Sequence, residues 1–310
     1  MKNKNILVTG GLGFIGSHIV DELIDNNSII IIDDKSTGKI NNLENPYHPN
    51  LKIIEKDINN VDLDRLLEGI DYVFHLAAIA SVPLSVDDPI LCNNVNINAT
   101  IKLLNACNKN NVKKIIFSSS SAVYGDTTKL PIKETEPLLP KSPYAASKAG
   151  CELYLKSFYE SYGLNYTILR YFNVFGPKQD KNSQYAAVIP NFISALLEGE
   201  QPIIYGDGTQ TRDFIFVKDV VMANILACES DYNGIVNVAS GKKLTINELY
   251  EIILETLGFN VEVKYLPKRK GDIKNSLADV SNLRNINCNF NFDEFENQLK
   301  ETVDWFKTHL

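Results

Sequence analysis

The stretch Asn5–His18 reads NILVTGGLGFIGSH and decides the fold. Its first five residues are mainly apolar and predict a short buried strand, and a helix is predicted to follow over Phe14–Asp25. Gly10, Gly13 and Gly16 form a GxxGxxG motif across the turn and the start of the helix. Because glycine has no side chain, backbone amides and the helix N-terminus can approach a pyrophosphate there. Glycine turns are common, but this one joins a strand to a helix and therefore predicts a dinucleotide-binding loop.

The second predicted strand, Ser28–Ile32, ends in two acids, Asp33 and Asp34. A dinucleotide-binding fold places a carboxylate at this point, where it binds the adenosine ribose hydroxyls. A negative charge there repels a 2′-phosphate, and Lys35 is the only basic residue close by. The sequence therefore favours NAD over NADP as the cofactor.

Strands and helices continue to alternate along the chain. Further strands are predicted at Leu51–Glu55, Tyr72–Leu76, Lys114–Ser118 and Tyr166–Arg170, and helices at Leu63–Glu68, near Pro89–Asn108 and at Pro143–Tyr162. This alternation is typical of a doubly wound parallel α/β sheet covered on both faces. After residue 172 glycine, proline, asparagine and glutamine become frequent. We predict a dinucleotide-binding domain at 1–172 and a smaller mixed α/β lobe at 173–310, between which the chain can cross.

Composition narrows the class of protein. The 310 residues are 44% hydrophobic and 22% charged, as in soluble globular proteins, and the net charge of -7 argues against a nucleic-acid or anionic-membrane partner. The five cysteines are scattered without a CxxC motif, which indicates reduced thiols and a cytoplasmic location. The four histidines are not grouped at metal spacing, so we expect no metal. We also expect no signal peptide and no membrane span.

A second informative stretch, Phe117–Lys148, contains FSSSSAVYG and SPYAASKAG. Tyr144 and Lys148 are four residues apart, so on a helix they share one face. A cation beside a buried phenol favours the phenolate, which can act as a base near neutral pH. A YxxxK motif on its own also occurs at the start of ordinary amphipathic helices. Here it follows a serine cluster at the end of an apolar strand, and we predict a catalytic site.

Seven motifs occur in an order that resembles the extended short-chain dehydrogenase/reductase family, and within it the nucleotide-sugar 4-epimerases. They are TGGLGFIGSH, FHLAA, SSSSAVYG, YAASK, RYFNVFGP, DGTQTRDFIFVKD and RKGDIKNSLAD. The resemblance implies a Rossmann-type sheet, bound NAD, a UDP-sugar substrate and a homodimer built on the two long helices. It also implies a reaction: oxidation at C4, rotation of the 4-keto sugar, and return of the hydride to the opposite face.

The resemblance implies roles for individual residues. Tyr144 would take the proton from the 4-hydroxyl, Lys148 would bind the nicotinamide ribose and lower the tyrosine pKa, and Ser120 would hydrogen-bond the 4-oxygen. The implied NAD contacts are Gly10, Gly13, Phe14, Ile15, Gly16, Asp33, Asp34, Lys35, Ser36, Thr37, Gly38, Asp57, Ile58, Leu76, Ala77, Ala78, Ala80, Asn96, Ser118, Tyr144, Lys148, Tyr171 and Phe172. The implied substrate contacts are Ser81, Ser120, Tyr144, Asn173, Ala187, Val188, Ile203, Ile204, Tyr205, Arg212, Arg269, Asp272 and Ser276.

Neighbouring residues separate the reactions that this fold hosts. In 4,6-dehydratases that resemble this chain, Asp-Glu stands at the positions of Ser121 and Ala122, and UDP-xylose-forming decarboxylases and GDP-mannose dehydratases carry a Glu at that of Ala122. Without these acids elimination lacks its proton carriers. Ser276 stands where epimerases restricted to UDP-glucose and UDP-galactose carry a tyrosine, so it leaves room for a 2-acetamido group. Asn173 replaces a threonine typical of UDP-glucuronate 4-epimerases. That enzyme, another NAD-dependent nucleotide-sugar enzyme and a non-catalytic NAD-binding sensor remain the alternatives.

Overall fold

The computed structural model describes residues 1–181, 188–268, 273–288 and 294–310. In the first 172 residues, strands and helices alternate as the sequence predicts. In chain order they are β1 (Asn5–Thr9), α1 (Phe14–Leu23), β2 (Ser28–Asp33), β3 (Leu51–Glu55), α2 (Leu63–Leu66), β4 (Tyr72–His75), α3 (Val82–Asp87), α4 (Pro89–Asn93), α5 (Ala99–Lys109), β5 (Lys114–Ser120), α6 (Pro143–Tyr162) and β6 (Tyr166–Tyr171).

The remaining described residues form shorter strands and four further helices. In chain order these elements are β7 (Asn173–Phe175), α7 (Val188–Leu197), β8 (Ile203–Tyr205), β9 (Thr211–Arg212), β10 (Phe214–Phe216), α8 (Val217–Glu229), β11 (Gly234–Val238), β12 (Leu244–Thr245), α9 (Ile246–Leu257), β13 (Lys264–Leu266) and α10 (Phe295–His309).

The main sheet has seven parallel strands in the order β11-β6-β5-β4-β1-β2-β3. Its apolar strands are covered on both faces because successive side chains point to opposite sides. In β1, Ile6 and Val8 join the core beneath α1 and α8, whereas Leu7 joins the core beneath α5 and α6. The structure confirms the predicted doubly wound α/β class.

After residue 172 the chain contributes both to the main sheet and to a separate group of short strands and helices, called the smaller lobe here. Helix α8 packs on the main sheet, and β11 then pairs with β6 as its outermost strand. The other late elements form the smaller lobe, with β7 parallel to β10, β8 parallel to β13, and β9 antiparallel to β12. Helices α7, α9 and α10 enclose a separate core that includes Phe192, Leu249 and Phe306. The smaller lobe is therefore not one continuous segment.

The long helix predicted near Pro89–Asn108 is interrupted. Between α4 and α5 the chain makes a π-helical turn, Asn94–Asn98, within which Asn96 is buried. The Thr100 hydroxyl donates a hydrogen bond to the Asn96 carbonyl oxygen at 2.5 Å. Such turns are frequent at functional sites. Local sequence does not predict this turn, because the buried Asn96 side chain binds Ile79 and Ser147, which come from other parts of the chain.

A buried ion pair fixes α6 to the main sheet. Glu152 of α6 and Arg170 of β6 are each 1% exposed. The guanidinium binds the carboxylate through two hydrogen bonds, Nε to Oε1 at 2.9 Å and Nη2 to Oε2 at 2.5 Å. The Ser119 hydroxyl of β5 donates to the same Oε1 at 2.5 Å. The Glu152 carboxylate thus joins β5, which ends in Ser120, to β6 and to α6, which carries Tyr144 and Lys148.

The first prediction concerns this pair. Glu152→Gln leaves the buried Arg170 guanidinium without a counter-ion, and removing one partner of a buried pair costs about 3–5 kcal/mol. We expect urea denaturation to show a loss of unfolding free energy of that size. Asp64→Asn, which breaks the exposed pair with Lys109, should cost no more than about 1 kcal/mol. Equal losses in the two variants would contradict the role given to the buried pair.

Candidate active site

The glycine loop is packed too tightly for any side chain at two positions. Gly10 has a φ of +70°, and a Cβ there would lie 2.8 Å from the backbone nitrogen of Ala77. A Cβ on Gly16 would lie 2.1 Å from the Gly10 carbonyl oxygen. Gly13 is the N-cap of α1. These close approaches bring the N-terminus of α1 to the carboxyl end of β1, the edge where parallel sheets bind phosphates.

The carboxylate of Asp33 anchors this loop. It is buried, and it accepts hydrogen bonds from the Leu12 amide at 3.0 Å and the Lys35 amide at 2.8 Å. Burial raises the pKa of Asp33, an effect that the two amide hydrogen bonds oppose. Asp34 is exposed and binds Ser36 instead. Asp33 is therefore the acid that faces the glycine loop, as a ribose-binding carboxylate would.

The other predicted cofactor residues lie along the same edge of the sheet. They are Phe14 and Ile15 in α1, Ser36, Thr37 and Gly38 after β2, Asp57 and Ile58 after β3, Leu76, Ala77, Ala78 and Ala80 after β4, Ser118 in β5, and Tyr171 and Phe172 at the end of β6. Within this set, the Tyr171 hydroxyl hydrogen-bonds the Ser118 hydroxyl at 2.9 Å.

Asn96 supports the turn after β4. Its side-chain oxygen accepts from the Ile79 amide at 2.8 Å, and its side-chain nitrogen donates to the Ile79 carbonyl at 3.1 Å and to the Ser147 hydroxyl at 2.8 Å. The Ser147 hydroxyl donates in turn to the carbonyl of Tyr144 at 2.7 Å. The polar atoms of Asn96 are thus engaged by protein, and the residue joins the predicted cofactor turn to α6.

His75 also supports the turn after β4, a role that the sequence did not indicate. The Thr9 hydroxyl donates to His75 Nδ1 at 2.7 Å and accepts from the Ala77 amide at 3.2 Å. On the other side, His75 Nε2 donates to the Thr100 hydroxyl at 2.8 Å. Burial, with a smaller contribution from Lys148, lowers the pKa of His75 to about 3. The ring is therefore neutral at physiological pH and acts as a fixed donor and acceptor.

The three predicted catalytic residues meet at the carboxyl end of β5. Ser120 ends the strand, and Tyr144 lies in the first turn of α6, near enough for the Ser120 hydroxyl to oppose the rise in the tyrosine pKa. Lys148, one turn further on, donates to the Ser118 carbonyl oxygen at 2.7 Å. Its Nζ lies 4.9 Å from the centre of the Phe117 ring. Burial lowers the pKa of Lys148 to about 8.

The pKa of Tyr144 differs from the expectation. Lys148 was expected to lower it, but in the structure burial raises the pKa of Tyr144, and the hydrogen bond with Ser120 offsets only part of that rise. The ammonium of Lys148 is directed to the Ser118 carbonyl. The spacing of the two residues on α6 correctly predicted that they share a face. The direction of the ammonium, however, depends on the Ser118 carbonyl of β5, which helical spacing cannot reveal.

Of the predicted substrate contacts that the structure describes, most line one cavity of about 180 Å³ in the smaller lobe. Its walls include Asn173, Val188, Ile203, Ile204, Tyr205 and Arg212, together with residues that the sequence reasoning missed: Val174, Phe175, Ile189, Asn191, Phe192, Gln210, Phe214 and Ile246. Ser276 is buried beside this wall, and its amide donates to the Thr211 carbonyl at 3.1 Å. Ser81 caps α3 by accepting from the Leu84 amide at 3.2 Å. Ala187, Arg269 and Asp272 lie outside the described residues.

Asp213 holds this wall together, and the sequence did not single it out. Its carboxylate is fully buried and accepts hydrogen bonds from the amides of Ser240, Gly241 and Ala278 and from the Ser240 hydroxyl, at 2.7–3.1 Å. Its carbonyl oxygen accepts from the side chain of Asn173 at 2.9 Å. Burial raises the pKa of Asp213 to about 6. One acid therefore connects the segments that carry Asn173, Arg212 and Ser276.

The sequence model of the NAD dependent epimerase/dehydratase family matches residues 6–239. This chain belongs to that family.

Three relatives of this family member are similar over nearly its whole length. A UDP-N-acetylglucosamine 4-epimerase from Methanobrevibacter ruminantium M1, solved in complex with UDP-N-acetylmuramic acid, is 62% identical, covers 100% of both chains and has a TM-score of 0.99. A UDP-glucose 4-epimerase from Thermotoga maritima, solved with UDP-glucose, is 41% identical over 98% of this chain and 99% of its own, with a TM-score of 0.93. A putative UDP-glucose 4-epimerase from Methanocaldococcus jannaschii is 41% identical over 98% of this chain and 99% of its own.

Two features are absent from the described part of this epimerase/dehydratase family member. None of its helices there is both long enough and apolar enough to cross a membrane. The same residues contain no group of three or more histidine, cysteine, aspartate or glutamate side chains that could hold a metal ion.

Proposed function

We propose that this chain is an NAD-dependent 4-epimerase of UDP-sugars. One observation carries the proposal: Ser120, Tyr144 and Lys148 lie together at the sheet edge that also holds the glycine loop and Asp33. The glycine loop fits a dinucleotide because Gly10 and Gly16 allow a close approach of backbone at the N-terminus of α1, and Asp33 accepts a hydrogen bond from Leu12 in that loop. The similarity to UDP-sugar 4-epimerases supports the same reaction.

NAD bound at this edge would accept the hydrogen of the sugar C4 as a hydride and return it to the other face. Tyr144 would remove the proton of the 4-hydroxyl, and Ser120 would hydrogen-bond the 4-oxygen as it becomes a carbonyl. Because burial raises the pKa of Tyr144, its phenolate needs a nearby positive charge. Lys148, one turn further along α6, can supply this positive charge.

The turn after Ser120 favours epimerisation over elimination. Ser121 and Ala122 begin the 3₁₀ turn Ser121–Tyr124, and neither side chain can exchange a proton with a sugar near neutral pH. Loss of water or of a carboxylate would need such a group beside Ser120. The oxidised sugar is therefore left to rotate and to take back its hydride.

The second prediction tests this reaction. The purified protein should convert UDP-galactose, or UDP-N-acetylgalactosamine, to its 4-epimer without net consumption of added NAD, as followed by NMR. Tyr144→Phe should retain binding but lose turnover by about a hundredfold or more, the loss expected for a general base. Accumulation of NADH or of a dehydrated sugar would contradict the proposal. NAD binding without conversion of any UDP-sugar would favour the sensor instead.

We further propose that the enzyme accepts UDP-N-acetylglucosamine and UDP-N-acetylgalactosamine at least as well as the glucose pair. Ser276 is 9% exposed, and its amide binds the residue before Arg212. A small side chain at this buried place leaves space beside the proposed sugar subsite, whereas a tyrosine would fill it. The 62% identity to a UDP-N-acetylglucosamine 4-epimerase supports this substrate range.

Ser276→Tyr is the third prediction. We expect kcat/KM for the two acetylated sugars to fall at least about tenfold, the effect of about 1.4 kcal/mol of lost binding. The values for UDP-glucose and UDP-galactose on the same variant are the matched control and should change much less. UDP-glucuronate should be a poor substrate of the wild type. Unchanged turnover of the acetylated pair in the variant would contradict the pocket argument.

The fourth prediction concerns assembly and setting. We propose a cytoplasmic homodimer, and its action on UDP-galactose would belong to galactose metabolism. Helices α3, α4 and α6 expose neighbouring apolar side chains, namely Val82, Leu84, Val86, Ile90, Leu91, Leu153, Tyr154 and Tyr162. An exposed apolar surface of this extent is typical of an interface. Light scattering should give twice the chain mass of 34.7 kDa, and a single-chain mass at micromolar concentration would contradict the dimer.

A further inference from the structure

Ser85, in the short helix α3, contacts the peptide of Tyr144 directly. The side chain of Ser85 is fully buried. Its hydroxyl oxygen accepts a hydrogen bond from the Tyr144 amide at 3.0 Å and donates to the Val82 carbonyl at 2.6 Å. A serine hydroxyl has one proton to donate. Because that proton is given to Val82, the oxygen faces the Tyr144 amide as an acceptor.

The contact matters because of where Tyr144 lies in its helix. The first amides of a helix have no acceptor within the helix. Pro143, the first residue of α6, has no amide hydrogen, so the amide of Tyr144 is the first donor of the helix. The N-cap residue Ser142 accepts from the next amide, that of Ala145, at 3.2 Å. The amide of Tyr144 is left to an acceptor from another element, and Ser85 provides it.

The peptide on the other side of Tyr144 is fixed as well. The Tyr144 carbonyl accepts from Ser147, which in turn is bound by Asn96. Ser85 and Ser147 therefore hold the tyrosine backbone from both sides. The phenol then has a fixed origin from which to reach Ser120.

We infer that Ser85 is a positioning residue that sets the place of the Tyr144 phenol during the reaction. The inference rests on the proposed function, in which Tyr144 exchanges a proton with the sugar. Proton transfer requires heavy atoms within hydrogen-bond reach, and a small displacement of a reacting group lowers the rate steeply. Loss of the Ser85 hydroxyl should therefore affect the chemical step more than binding. Ser85 itself touches no reacting atom.

Ser85→Ala is the test, and Ser142→Ala is its matched control. Each variant removes one serine oxygen from one amide in the first turn of α6, but only the first frees the amide of Tyr144. We expect Ser85→Ala to lower kcat by at least about tenfold, because misplacement of a reacting group can cost as much as a hundredfold. Its KM for UDP-sugars and its content of bound NAD should stay within about twofold. Ser142→Ala should keep kcat within about threefold of wild type although it loses thermal stability.

Two further measurements keep the inference testable. Ser85→Cys keeps a side chain of similar size with a weak acceptor, so its kcat should fall between those of wild type and Ser85→Ala. Hydrogen exchange at the Tyr144 amide, which does not depend on turnover, should be faster in Ser85→Ala than in Ser142→Ala. If wild type proves inactive on UDP-sugars, the proposed function fails, and the exchange measurement still decides whether Ser85 holds Tyr144. Equal kcat losses in the two alanine variants, a change in KM alone, or equal exchange rates would overturn the inference.

Discussion

The buried ion pair between Glu152 and Arg170 is the contact on which the geometry of the proposed site depends. It binds α6, which carries Tyr144 and Lys148, to β6, and through Ser119 to the strand that ends in Ser120. Desolvating two charges is unfavourable, so such a pair contributes little to stability unless its hydrogen bonds are complete. Here they are. The guanidinium also donates to the Glu134 carbonyl at 3.1 Å and lies 4.7 Å from the Tyr124 ring.

Around this pair, most of the polar groups at the sheet edge act as supports. Neutral His75 and Asn96 fix the turn after β4, and Ser85 and Ser147 hold the peptide of Tyr144. Each takes part in at least one hydrogen bond that joins its own element to another part of the chain. An arrangement of this kind leaves few groups free to move, so the positions of Ser120 and Tyr144 are set by the surrounding protein. Asp213 does the same for the smaller lobe.

The sequence predicted those features that depend on local pattern. The glycine loop, the alternation of strands and helices, and the shared helix face of Tyr144 and Lys148 all follow from spacing along the chain. Features that depend on distant residues were missed. In the π-helical turn Asn94–Asn98 the Asn96 side chain binds Ile79 and Ser147, and β11 returns to the main sheet only after the chain has begun the smaller lobe. The raised pKa of Tyr144 depends on burial, which spacing does not reveal.

The central claim is that Tyr144 and Ser120 serve a reaction in which the C4 hydrogen leaves and returns as a hydride. The most direct measurement uses a UDP-sugar with deuterium at C4 and follows the isotope by NMR during epimerisation in ordinary water. The account predicts that the epimer keeps its deuterium at C4, because a hydride held by the bound cofactor does not exchange with solvent. Loss of the deuterium to water would mean that C4 is deprotonated as a carbon acid, and it would contradict the account.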